Sequence, residues 1–308
     1  MIEVSGISKF YGQKKAVENL NFSINEGEIV GLLGLNGAGK STILKVLGCF
    51  LLPSQGEAKV GAYSVTHDSH KVRQLIGYLP DRPPLYKEMT VEDYLVFVAK
   101  LKDTPTSLVS QYVGEAIEHT NLEDVRFRTL EQLSHGYQQR VGIAQAIVHK
   151  PKVLILDEPI NGLDPIQIAE MRDLILSLKG RHTVILSSHI LSEITKTCDR
   201  ILVIDQGELV AQGTESELMG LGDGLMNIHL ELSKGDESLV EAIRSIPGVQ
   251  SLNQDGDENL MTIDITCSED LRSHIASCVI QKGGGLLTLQ KKEAELESLF
   301  FKLVNAES

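Results

Sequence analysis

The sequence predicts a parallel α/β core followed by a small α+β sandwich of order βαββαβ, and three observations carry that expectation. Short, almost wholly apolar runs recur: EIVGLLG (28–34), KVLILDEP (152–159) and HTVILSSH (182–189). Strands buried on both faces of a parallel sheet have this character, whereas half-exposed strands alternate. Each run is followed by a segment of helical periodicity, which places ligand chemistry at the carboxyl ends of the strands. The third observation is a change of rhythm late in the chain, where shorter, alternating segments take over.

The elements follow in order. STILKVLG, after the first apolar run, is a helix. From Pro84 the character changes: VEDYLVFVAKLK (91–102) and SLVSQYVGEAIEHTNL (107–122) are amphipathic helices with no strand between them. They form a helical insertion, about 84–150, in an α/β domain spanning 1–219. In LSHGYQQR (133–140) Ser134 has the place of a helix N-cap, and Val141, Ala144, Ile147 and Val148 recur on one helical face. Gly136 falls inside the first turn, where glycine is a poor helix former. A glycine there makes sense if something approaches the backbone closely.

Three glycines in MGLGDGL (219–225) suggest a linker. Beyond it, NIHLEL is a strand, ESLVEAIRSI a helix, VQSLNQ and NLMTIDIT strands, DLRSHIASCVIQ a helix and GLLTLQ a strand. This order fits a ferredoxin-like domain over 220–308, closed by a last helix, ELESLFFKLV. No internal repeat is evident.

Composition narrows the function classes. The 308 residues are 42% hydrophobic and 23% charged, without tryptophan, as in ordinary globular chains. A net charge of -13 argues against a general nucleic-acid binder, which needs a basic face. Residues 221–308 alone contribute -8 of it. A local phosphate site is still possible, because backbone amides build one without net positive charge. Cys49, Cys198, Cys267 and Cys278 are far apart, without metal-ligand spacing, and are expected as reduced, buried thiols. MIEVSGISKFYGQKK lacks the apolar core of a signal peptide, and no apolar run reaches membrane-spanning length. The expected protein is soluble, or docks on a membrane partner.

GLNGAGKST (34–42) matches the P-loop pattern G-x-x-x-x-G-K-[ST], with a strand before it and a helix after it. In such a loop, Gly34, Leu35, Asn36, Gly37, Ala38 and Gly39 curl successive amides round phosphate oxygens. Lys40 reaches the β- and γ-phosphates, and Ser41 and Thr42 open the helix, with Ser41 on Mg²⁺. VLILDEP sets Asp157 and Glu158 at the end of a buried strand. Asp157 suits the Mg²⁺ side of a phosphate-cleaving site, and Glu158, pointing differently, suits polarisation of the attacking water. His189, in LSSHIL, ends the next strand; alone it fits a structural hydrogen-bonder as well as a catalyst.

Together these residues resemble the ATPase subunits of ABC-type transporters over residues 1 to about 218. The motif order is the family's: P-loop, LSHGYQQR, LILDEP, NGLDP (161–165) and SSH (187–189). The resemblance implies an ABC-type P-loop NTPase fold with ATP and Mg²⁺ as cofactors. It implies that Tyr11, in SKFYGQKKAV, stacks on adenine, that Glu158 is the catalytic base and that His189 contacts the γ-phosphate. Asp164 falls in the loop that communicates between subunits. Ser134, His135 and Gly136 form the signature, whose Ser134 and Gly136 bind the γ-phosphate of ATP held by the opposite subunit.

Two positions depart from the family pattern. The signature, usually LSGGQ, here reads LSHGY. His135 is then either a substitution facing solvent or a pH-sensitive charge near the phosphate. In IGYLPDRPPLY, Asp81 stands where a glutamine commonly reaches Mg²⁺ and water; a carboxylate still contacts Mg²⁺ but cannot donate. Both variants and the tail resemble the exporter branch with a separate membrane subunit and a C-terminal accessory domain.

The implied function is an ATP-hydrolysing subunit that dimerises, as homo- or heterodimer, around two Mg-ATP. It would drive an integral membrane transporter subunit from the cytoplasmic face, with no nucleic acid expected as partner. The competing class is a soluble ABC ATPase acting on ribosomes or nucleic acid, and a regulatory role stands open for the tail.

Overall fold

The computed structural model describes residues 1–220, 226–257 and 260–292. Packing divides the chain into two units, Met1–Thr214 and Glu215–Ser308.

The first unit opens with β1 (Ile2–Tyr11) and β2 (Lys14–Ile24), paired antiparallel, and then β3 (Ile29–Leu33), in which all five residues are buried. Helix α1 (Lys40–Leu47) is followed by β4 (Gln55–Val60), β5 (Tyr63–Ser64), α2 (Ser69–Leu75) and β6 (Ile76–Leu79). The helical insertion supplies α3 (Val91–Leu101), α4 (Thr106–His119) and α5 (His135–Ile147), which pack on one another. Thr90 caps α3 by accepting from the Asp93 N–H, and Glu92 and Asp93 place negative charge in the first turn, where the helix dipole favours it. The core resumes with β7 (Val153–Asp157), α6 (Pro165–Ser177), β8 (Thr183–Ser188), α7 (Leu191–Thr197), β9 (Arg200–Asp205) and β10 (Glu208–Gly213).

The expected parallel sheet has the order β10-β9-β3-β8-β7-β6, with β10 antiparallel at one edge. Registers Leu33↔Ser188 and Asp157↔Ser187 bring the carboxyl ends of β3, β8 and β7 level. Three loops that carry the motifs therefore leave the sheet side by side. A second sheet, β2-β1-β4-β5, is antiparallel and departs from the plain strand–helix alternation expected of this region. It shares one core with α1: Ile43, Leu44, Val46 and Leu47 belong to the same buried cluster as Ile7, Leu20 and Val60 of this sheet and Ile155, Ile185 and Leu202 of the first. The helix that follows the P-loop is thus clamped between two sheets.

The second unit starts with α8 (Glu215–Gly220), so Met219 and Gly220, expected in a linker, belong to a helix. Residues 221–225 of that expected linker lie outside the described residues. The unit continues with β11 (Met226–Lys234), α9 (Glu237–Arg244), β12 (Val249–Asp257), β13 (Leu260–Cys267), α10 (Arg272–Gln281) and β14 (Gly285–Lys292). The strands form an antiparallel sheet of order β12-β13-β11-β14. In β13 every second residue is buried, and Met261, Ile263 and Ile265 pack with Leu239 and Ile243 of α9 and Ile275 and Val279 of α10. The expected closing helix, ELESLFFKLV, lies outside the described residues.

Candidate functional site

The site is built at the level ends of β3, β7 and β8. After β3 the chain enters the P-loop, where Gly37 (φ +88°) and Gly39 (φ +111°) take left-handed conformations that side chains resist. A Cβ on Gly39 would also stand 2.6 Å from the Ala16 carbonyl oxygen. Lys40 opens α1 and folds back over the loop, donating to the carbonyls of Gly34 at 2.8 Å and Leu35 at 3.3 Å. Ala38 is buried and Leu35 is exposed.

Asp157 ends β7, only 2% exposed. Ser41 donates to its Oδ1 at 3.1 Å and Ser187 donates to the same oxygen at 2.7 Å. Burial raises the Asp157 carboxyl above its ordinary range; the two hydroxyls oppose that shift, and the charges of Glu158 and Asp81 add to it. Among the described residues no cationic side chain pairs with it. Two hard oxygen donors, one a buried anion without a cation, fit a hydrated divalent ion that also takes phosphate oxygens. No group of three or more His, Cys, Asp or Glu able to hold a metal by itself occurs among the described residues.

Glu158, 8% exposed, stands at φ +50°, a conformation unusual for a residue with a Cβ and found where surrounding structure imposes it. Its N–H donates to Ser187 Oγ at 2.9 Å. Its carboxylate is bridged: Oε1 lies 3.3 Å from Lys40 Nζ, and Oε2 accepts from His189 Nδ1 at 3.0 Å. Ser187 thus serves both acidic residues, a role the sequence reading did not assign, although the SSH stretch contained it.

One cleft of about 760 Å³, a size that suits a nucleotide-sized ligand, is lined by Tyr11, Asn36, Gly37, Gly39, Lys40, Ser41, Thr42, Asp81, Glu158 and His189. Lys14, Lys15, Ala16 and Asn161 complete it. Gly34, Leu35, Ala38 and Asp157 stand outside this lining. Tyr11 closes β1, half exposed, with Lys9 Nζ 5.6 Å from its ring centroid.

The signature lies elsewhere. Ser134 caps α5 by accepting from the Tyr137 N–H, as its position predicts. Ser134 and Gly136 line a different groove, of about 750 Å³, with Tyr137, Arg140, Gln167 and Glu170. The group pressed against Gly136 is the Gln167 amide of α6: a Cβ would meet its carbon at 2.9 Å. His135 is exposed, and its ring is engaged, with Nε2 donating to the Asn161 carbonyl at 3.1 Å. Asp164 caps α6, accepting from the N–H groups of Ile166 and Gln167 at 3.0 and 2.9 Å.

Comparison with known proteins gives a consistent result. The model of the ABC transporter family matches residues 17–161. The linearmycin resistance ATP-binding protein LnrL of Bacillus subtilis is 33% identical over 98% of each chain. The bacitracin transport ATP-binding protein BcrA of Bacillus licheniformis is 31% identical over 99% of this chain and 97% of its own length. Among solved structures, an ATP-binding subunit of an ABC transporter superposes with a TM-score of 0.66 at 29% identity, covering 71% of this chain and 92% of its own. A dimeric ATP-binding cassette in a post-hydrolysis state with ADP and Pi gives 0.64 at 26% identity, over 70% of this chain and 98% of its own. With full-length relatives above 30% identity, and the P-loop, acidic pair and signature in their places, the chain belongs to the ATP-binding ATPase subunits of ABC transporters.

Proposed function

We propose that this subunit binds Mg-ATP in the Tyr11–Lys40–His189 cleft and hydrolyses it with Glu158 as general base. The observation that carries this reading is the bridged carboxylate of Glu158, held between Lys40 and His189 at the mouth of the P-loop. Tyr11 stacks on adenine, and the P-loop amides cradle the phosphates. Lys40 exchanges its loop carbonyls and the Glu158 carboxylate for phosphate oxygens, which frees Glu158 from one of its two partners. Glu158 then takes a proton from the attacking water as its oxygen bonds to the γ-phosphorus. The bond to the bridging oxygen breaks, and ADP leaves with that electron pair. His189 orients Glu158 and meets the γ-phosphate. Ser41 and Asp157, with Asp81 alongside, hold Mg²⁺, which supplies charge neutralisation on the phosphates.

Two chains would close around two nucleotides, each signature completing its partner's site through Ser134 and Gly136, with Asp164 in the communicating loop. The ADP- and Pi-bound dimer among the structural neighbours supports this arrangement. The printed roles of the relatives, linearmycin resistance and bacitracin transport, support an exporter with a separate membrane subunit. No described helix is long and apolar enough to cross a membrane, in keeping with a peripheral subunit on the cytoplasmic face. The unit after Thr214 is read as a ferredoxin-like accessory domain. A role on ribosomes or nucleic acid finds no support in the relatives.

The test is Glu158→Gln. Loss of a general base lowers kcat by about 10²–10⁴-fold while ATP binding persists. Near-normal hydrolysis would remove Glu158 from the role.

A further inference from the structure

The two departures from the family pattern, Asp81 and His135, end on the same residue. Asn161 Nδ2 donates to Asp81 Oδ1 at 3.3 Å, and the Asn161 carbonyl accepts from His135 Nε2 at 3.1 Å. The Asn161 N–H in turn donates to the Glu158 carbonyl at 3.1 Å, in the turn that leaves the acidic pair. Gly162, next along, is at φ +73°, and a Cβ built there would come to 3.3 Å from His135 Nε2. The imidazole thus reaches the loop over a position kept bare.

We propose that Asn161 is a positioning residue that ties Asp81 to Glu158, and that His135 sets its aim by holding its carbonyl. The inference rests on the site roles proposed above for Asp81 and Glu158. The chemistry explains why the two departures belong together. An aspartate is one methylene shorter than glutamine and, ionised, only accepts, so it needs a donor brought close. Asn161 supplies that donor. The glycine usual at position 135 has no side chain to hold the Asn161 backbone; histidine does, through a nitrogen that carries its proton in this tautomer and in the cation alike. The contact therefore survives protonation, and His135 acts as a strut in either charge state.

The experiment compares steady-state ATPase kinetics of the full chain with those of His135→Ala, His135→Gln, Asn161→Ala and the double variant His135→Ala/Asn161→Ala. All three linked residues are exposed, so the substitutions leave the fold intact. Residues coupled through one network lose activity non-additively, so each single alanine variant should lower kcat by about 3- to 10-fold with KM little changed, and the double variant no further than Asn161→Ala. His135→Gln, whose amide can still donate to the Asn161 carbonyl, should retain most of the parent kcat. Losses that multiply in the double variant would show that His135 acts on its own, as on a partner's nucleotide, and would overturn the proposal. Single variants with parental kcat would overturn it too. If Glu158→Gln were active, the site reading itself would fail; if Glu158→Gln were inactive and the double variant multiplicative, only this inference would.

Discussion

The two ends of the site are built in opposite ways. At the strand ends, Lys40, Asp157, Glu158 and Ser187 are all buried, and each is bonded to another member of the group. At the start of α5, Ser134 and His135 are exposed, and the N-terminus of the helix faces a separate groove. Buried charged groups need partners, and here the fold supplies them from within one chain: Lys40 and Glu158 pair with each other, and Asp157 takes two hydroxyls. The second end carries no such requirement, and a capped, exposed helix N-terminus is suited to receive an anion brought from outside. In the proposed dimer, the difference separates a half-site that one chain finishes from one that waits for another.

The largest effect should come from breaking the buried end. Lys40→Ala removes the cation from Glu158 and, in the proposed mechanism, from the phosphates; loss of such electrostatic stabilisation lowers kcat by about 10²–10³-fold. Parental turnover in that variant would separate Lys40 from the chemistry.

A stability measurement sharpens the same contrast along α5. Just past its end, His149 donates from Nε2 to the Ile76 carbonyl at 3.0 Å, and burial lowers its pKa to about 4. A histidine neutral when folded binds protons first in the unfolded chain, so its contribution is intact above about pH 6.5 and is lost as pH falls toward 4. The linkage amounts to about 3 kcal/mol across that window. Denaturant unfolding of the parent and of His149→Gln at pH 7.5 and 5 checks it. The variant should lose less stability on acidification; an equal loss in both would place the acid sensitivity elsewhere.

Ser187→Ala tests the pairing inside the buried end. It takes a donor from Asp157 and an acceptor from the Glu158 N–H, and an unsatisfied buried group costs about 1–3 kcal/mol. Both unfolding free energy and kcat should fall. A variant as stable and active as the parent would show that the acidic pair does not depend on this hydroxyl.

The smallest expected effect on stability lies at the open end. Ser134→Asp retains N-capping, since aspartate caps as well as serine, so unfolding should change by less than about 1 kcal/mol. A carboxylate facing a phosphate would nevertheless suppress hydrolysis. Loss of stability without loss of activity would make Ser134 a cap only.

The contrast also governs what could be read from sequence. β3, β7 and β8 were legible because burial on both faces leaves continuous apolar runs, and Ser134 because a cap is a local device. The antiparallel sheet was not. β1 slips register between Val4 and Ile7 and again beyond, which spoils its alternation, and its partner β4 lies on the far side of α1. The double duty of Ser187 depends on its register opposite Asp157, a pairing between strands that no local pattern announces. The same holds for Asn161, whose two side-chain partners come from the loop after β6 and from the first turn of α5, and for Gln167 against Gly136.

The central claim is that the buried end of one chain works with the open end of another, and mixing two disabled chains tests it most directly. Lys40→Ala spoils the P-loop and keeps the signature; Ser134→Asp spoils the signature and keeps the P-loop. Each alone should be inactive. If sites form across two chains, mixed dimers contain one site with both halves intact, and ATPase activity should rise above that of either variant. Hydrolysis that stays at the level of the separate variants, with mixed dimers demonstrably present, would contradict the account.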